Sequence, residues 1–326
     1  MSETRLESDS AMHAIQAVLA VAPTTHAVPL TNVTIRGMVL DAHNATNNGF
    51  ANPLVLDRVT GIVVEGNIVL NGGPGISAFM TSGTFHQNYS TGNSEIGLAV
   101  TAGSAAHPAI VSISQNRLVN NGLHGLVLSG SGFLLNVDYG KTKVIPVADG
   151  EIADLLNATV SNNDLSNNIG GFGVRQMAYL PRPSGDQHNG LIRASFSHNR
   201  IAGNRFGVVF ESGFTWRAKS NPGPYSMAFV SSFDGDTIID NTKFQTEIAF
   251  RNASWVNSGT PTSCFYQPLV NSTITITDPD GSLTGAQIDN PKFDPNFLFG
   301  AVCPSDVPPS GLALGNTLTI NGAVVP

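Results

Sequence analysis

The chain has 326 residues, of which 41% are hydrophobic and only 12% charged, about half the roughly 25% charged share of an average soluble domain. Its formal net charge of −7 argues against a nucleic-acid partner, because phosphate binding relies on clustered Lys and Arg. Only residues 175–251 carry a cationic excess, 9 Lys/Arg against 6 Asp/Glu, and that stretch either attracts an anionic ligand or is an ordinary solvated face.

Residues 1–29 read as a truncated first coil or a capping segment. The apolar run Ala14 to Ala22 is too short to span a membrane. It follows Glu3, Glu7 and Asp9 rather than a basic stretch, so it does not read as a signal peptide. Residues 30–255 contain a repeat. Asn67-Ile-Val-Leu-Asn71 precedes Gly75-Ile76, and Asn116-Arg-Leu-Val-Asn120 precedes Gly125-Leu-Val-Leu128. Asn163-Asp-Leu-Ser-Asn167 and Asn199-Arg-Ile-Ala-Gly-Asn204 lead in the same way to Gly173-Val174 and Gly207-Val-Val-Phe210, and a weaker copy runs from Asp240 to Phe250. Apolar residues alternate within each copy (Leu126 and Leu128, Val208 and Phe210), which predicts short half-buried strands. Such units bury a continuous core only by stacking, at about 4.8 Å per coil.

The asparagines suit tight corners, where they tolerate a left-handed backbone and bond to their copies one coil away. The glycines mark a second corner that a Cβ would obstruct. The leading Asn recurs at spacings of 49, 47 and 36, which predicts insertions near residues 80–109, 129–157, 178–191 and 212–226, all on one face. Beyond Trp255 the repeat fades. Residues 256–326 read as the last coils and a C-terminal closure, with Ser272 to Thr277 and Asn316 to Asn321 each able to add a strand. Cys264 and Cys303 lie here, and either a disulfide of an exported protein or two buried thiols would account for them.

The strand–turn–strand segment Asn32 to Asp41 and the Asn-x-Φ-x-x-Asn copies (Φ apolar) resemble coils of the pectate-lyase-like right-handed β-helix superfamily over roughly residues 30–255. The resemblance implies one all-β domain over 1–326, a right-handed parallel β-helix with long loops on one face. It does not assign chemistry, since that superfamily includes lyases, hydrolases, epimerases and non-catalytic surface proteins. The polygalacturonase signatures Asn-Thr-Asp, Asp-Asp, Gly-His-Gly and Arg-Ile-Lys are absent.

Aligning the copies puts Phe79, Ser129, Met177, Glu211 and Arg251 in one outward row, and Ser77, Val127, Arg175, Val209 and Ala249 in the next. Glu211 and Arg251 are then neighbours, with Arg175 one coil away on the other side. A carboxylate among guanidinium groups can abstract a proton beside a sugar acid's carboxylate, or can form a surface salt bridge worth about 0–1 kcal/mol. Trp216, Arg217 and Lys219 in one inserted segment, with Tyr179 and Arg182 in the preceding one, combine rings and cations suited to an acidic sugar, or pin those segments to the sheet. The expectation is a secreted or cell-surface polysaccharide lyase or hydrolase with Glu211, Arg251 and Arg175 as catalytic residues. The competing expectation is a non-catalytic recognition protein. No Cys/His spacing suggests zinc. No cofactor is expected, calcium being the one ion left open, since Asp234-Gly-Asp236 and Asp278-Pro-Asp280 read as turns.

Overall fold

The computed structural model describes residues 5–7, 17–23, 30–43, 52–104, 107–130, 152–177, 189–211, 226–256, 263–269, 271–288 and 311–326. One coil serves as a template. Ala109–Ser114 is its first strand, Arg117–Val119 its second and His124–Ser129 its third. Gln115 and Asn120, each with φ of +56°, make the two corners. The next coil stacks parallel on all three, and repetition builds a right-handed parallel β-helix. Among the described residues its walls are an eleven-stranded sheet of first strands, a sheet of three-residue second strands, and a nine-stranded sheet of third strands.

Alternation decides which residues fill the tube. Val111, Ile113, Leu118, Leu126 and Leu128 point inward and are buried, and their equivalents in the other coils join them in one core. Aromatic residues stack along the axis as the coils do, Phe196 and Phe233 lying parallel with centroids 4.6 Å apart. Burying one such side chain contributes about 1.5–3 kcal/mol, so no coil is stable alone and the stack is.

The corners divide two tasks that the sequence assigns to one residue. The left-handed backbone belongs to the position before the ladder asparagine: Gly66, Gln87, Gln115, Asn162, His198 and Gly235 all have positive φ. The following asparagine is therefore free to bond along the axis. Asn67, Asn88, Asn116, Asn163 and Asn199 each receive the N–H of the rung before, or of Met38 at the start, on Oδ1. Each Nδ2 donates forward to the next rung and backward to a main-chain carbonyl. Asp236 is the last rung, accepting both the N–H (2.8 Å) and the Nδ2 (2.8 Å) of Asn199. A second ladder, Asn93–Asn121–Asn168–Asn204–Asn241, lines the other corner.

At the entry to the third strand a glycine is required. A Cβ on Gly125 would lie 2.8 Å from the carbonyl oxygen of Gly173 in the next coil.

The spacing of 49 conceals a whole coil. Residues expected as the first insertion form strands Ser82–His86, Tyr89–Thr91 and Ile96–Thr101, with Asn88 as the missing rung. Tyr89-Ser-Thr91 lacks the large aliphatic residues of the other copies, so the repeat is hard to see there. At the C-terminal end Thr273–Thr277 and Thr317–Ile320 extend the eleven-stranded sheet, and Ala323–Val325 turns back antiparallel on its edge. Arg251–Val256 and Ser263–Pro268 form a separate antiparallel pair. Cys264 lies on that pair, and Cys303 lies outside the described residues. Among the described residues no helix is long and apolar enough to cross a membrane.

Candidate functional site

The outward side of the nine-stranded sheet is unlike the other outer surfaces. Strands Ile76–Phe79, Ile96–Thr101, His124–Ser129, Phe172–Met177 and Phe206–Glu211 are buried along their whole length, on outward as well as inward positions. Outward Val127, Val209 and Met177 are as buried as core residues. Charged groups are set into this covered face.

Backbone pairing fixes which groups meet. One outward row runs Asp57, Phe79, Thr101, Ser129, Met177, Glu211, Ala249. The neighbouring row contains Ala99, Val127, Arg175, Val209 and Glu247. The expected pairing of Glu211 with Arg251 is therefore corrected: Ala249 stands beside Glu211, while Arg251 opens the antiparallel pair opposite Pro268. The error is two residues, and its cause is local. The strong copies have glycine before the third strand's core residues, at Gly75, Gly125, Gly173 and Gly207, but the weak copy has Gln245 opposite Gly207, so the sequence alignment slid forward.

Arg175 and Glu211, expected one coil apart, do meet. The guanidinium donates through Nε to Glu211 Oε1 in a closed ion pair, with the arginine 4% exposed and the glutamate 0%. On its other side Arg175 Nη1 lies 3.1 Å from His124 Nε2, and the guanidinium sits over the Phe172 ring at 5.1 Å. Burial first, and the Arg175 charge second, hold the His124 imidazole well below its usual titration range, opposed only by a hydrogen bond to the Leu123 main chain. The neutral ring then accepts at Nε2 from the guanidinium, the only sense in which arginine can bond to it. Three coils thus contribute a buried neutral base, a cation and an anion in series.

An aromatic column seals one flank. His124 stacks on Phe172 (4.8 Å), Phe172 on Phe206 (5.0 Å) and Phe206 on Phe244 (5.7 Å). Taking an arginine–glutamate pair out of water costs several kcal/mol per ion, offset only by close geometry and further hydrogen bonds. Here the guanidinium has a carboxylate, an imidazole and a ring face around it.

Sequence reasoning missed three members of this region. Glu247 is fully buried one coil beyond Glu211. One strand spacing and a two-residue rise separate their α-carbons by about 8 Å. His124 occupies a position that is Ile96, Phe172, Phe206 or Phe244 in other coils, and a polar residue in that otherwise apolar column was the available signal. Glu95 stands before that column; its carbonyl accepts the N–H groups of Leu123 and His124, and burial pushes its carboxyl up to about 7.

Tyr179, Arg182, Trp216, Arg217 and Lys219 lie outside the described residues. Among the described residues no group of three or more His, Cys, Asp or Glu side chains is placed to hold a metal ion. Comparison with family models, with curated proteins and with solved structures finds no match to this chain.

Proposed function

We propose that this β-helix is an exported carbohydrate-active protein, a lyase or hydrolase whose working face is the outward side of the nine-stranded sheet. The supporting observation is the series His124–Arg175–Glu211, three ionisable side chains brought from three coils onto one covered outward face. Burying charge there costs stability that a purely structural wall of Val and Thr would not, and costly ionisable clusters are the common mark of functional sites.

In this reading Glu211 is the base and Arg175 is its positioning residue, since the guanidinium already spans Glu211 and His124. For a uronic polysaccharide, Glu211 would take the proton from the carbon beside the sugar carboxylate. The electron pair of that C–H bond would form the new double bond as the bond to the leaving oxygen breaks, the oxygen keeping the C–O pair and taking a proton from water. For a neutral polysaccharide, Glu211 would take a proton from the attacking water while Glu247 protonates the leaving oxygen, the two-carboxylate minimum for glycoside hydrolysis. Arg251 lies two residues along the chain from Ala249, the backbone partner of Glu211, and is given no role in these steps.

A specific observation favours a second reading, a non-catalytic surface protein that recognises polysaccharide. Glu211 is 0% exposed and its carboxylate is engaged by Arg175, as expected of a wall-stiffening ion pair. One experiment separates the two. The protein is incubated with acidic and neutral polysaccharides, with and without calcium, while ultraviolet absorbance reports unsaturated products and a reducing-end assay reports hydrolysis. Product formation abolished by Glu211→Gln supports the enzyme. Binding without product on every polysaccharide refutes it in favour of recognition.

A further inference from the structure

The outer face of the eleven-stranded sheet carries a different pattern. Backbone pairing places Thr84, Ser112, Thr159, Ser195, Ser232 and Thr277 side by side on six successive strands. Two residues further along the strands, Ser114, Ser161 and Ser197 make a second row. Each of these positions is partly or fully exposed. Ser114 bonds to His86 (3.0 Å), but among the described residues no hydroxyl of the six-strand row has a hydrogen-bond partner, nor do those of Ser161 and Ser197.

Charge is sparse on this face and lies outside the hydroxyl row. Glu65 is paired with Arg36 at one end, and Asp234 closes the second row at the other. Arg193 sits in the flanking row, between Asn157 and Val230. That row also exposes two aliphatic side chains, Ile110 at 54% and Val230 at 39%. The centre is thus an uncharged lattice of hydroxyls bordered by methyl groups.

We infer that this face is a second binding surface, fitted to an extended, uncharged polysaccharide lying along the helix axis. Three features select that partner. The row runs from strand to strand in unbroken register and advances by about 4.8 Å per strand, a step comparable to one pyranose of an extended β-linked chain. Each hydroxyl offers a donor and an acceptor that no group among the described residues uses, as the hydroxyls of a sugar do. The uncharged centre matches an uncharged chain, where an anionic one would call for Lys or Arg. The inference does not depend on the activity proposed for the opposite wall.

The test is co-sedimentation of the whole protein with microcrystalline cellulose, chitin and insoluble xylan. Thr84→Val, Thr159→Val, Ser195→Ala and Ser232→Ala are combined, changes that remove hydroxyls while keeping strand-compatible volumes. The expected result is binding of the unmodified protein to at least one of these solids, weakened about tenfold or more by the combined variant, since several hydrogen bonds are lost together. Its circular dichroism and unfolding midpoint should stay near those of the unmodified protein. Absence of binding to all three solids overturns the inference, as does undiminished binding by the combined variant. Ice shaping without glycan binding also overturns it, assigning the lattice to ordered water instead.

Discussion

Replacing Asn116 by alanine tests how the coils are held together. Asn116 Oδ1 accepts the Asn88 N–H and the Asn88 Nδ2, both at 2.9 Å, and its own Nδ2 donates to the Phe85 carbonyl and to Asn163 Oδ1. Some partners retain another bond: Asn88 Nδ2 still reaches the Val64 carbonyl, and Asn163 Oδ1 still accepts the main-chain N–H of residue 116. Two buried main-chain groups, the Asn88 N–H and the Phe85 carbonyl, lose these ladder bonds. An unsatisfied buried group costs about 1–3 kcal/mol, so Asn116→Ala should destabilise by about 2–5 kcal/mol. A surface change such as Gln115→Asn, which keeps a residue tolerant of the left-handed corner, should stay within about 0.5 kcal/mol. Urea unfolding followed by circular dichroism measures both. An Asn116→Ala protein less than 1 kcal/mol below the unmodified one would show that water or local shift satisfies those groups, and the ladder would lose its structural role.

Arg175→Met should destabilise by about 3–5 kcal/mol by leaving Glu211 buried without its counter-ion; the double variant with Glu211→Leu should recover most of that loss in the same urea assay, and equal loss in both would contradict the ion-pair account. Glu95 has its folded pKa raised to about 7 from 4.5, so its contribution is favourable below pH 4.5 and falls as pH rises towards 7, by about 1–3 kcal/mol; Glu95→Gln should abolish that slope in melting scans. His124 has the opposite sense. Its folded pKa is lowered, so the unfolded chain takes up a proton first and stability falls as pH drops below about 6.5; His124→Phe should flatten that acid limb, and an unchanged limb would remove His124 as its source. Asp236→Asn should cost about 1–2 kcal/mol at neutral pH, because both carboxylate oxygens accept N–H groups, from Asn199 and from Asp234, and an amide nitrogen cannot.

The architecture was legible because the same physical need recurs in every coil. Asn67, Asn116, Asn163 and Asn199 mark one corner, Gly125, Gly173 and Gly207 another, and period-two apolar pairs mark the strands between them. What was hidden is what breaks the pattern. The coil around Asn88 went unseen because Tyr89-Ser-Thr91 lacks large aliphatic side chains, and its neighbours' spacing looked like an insertion. The outward row was right for Arg175 and Glu211, where copies are strong, and wrong by two residues at Arg251, where Gln245 replaces the marker glycine. His124 and Glu247 could not be recognised from spacing alone. Their importance comes from burial on an outward face, and alternation predicts exposure there.

The ladder has a direction, and direction matters to a chain made from its N-terminus. Each rung's main-chain N–H finds its acceptor on the rung that follows in sequence, from Met38 on Asn67 through to Asn199 on Asp236. A coil emerging from the ribosome therefore lacks the side chain that satisfies its corner until the next coil, between 21 and 47 residues later, has been synthesised. The newest end of a growing solenoid is always open on its donor side, and the side-chain relay ends at Asp236, whose carboxylate accepts from Asn199 and has no N–H to pass on.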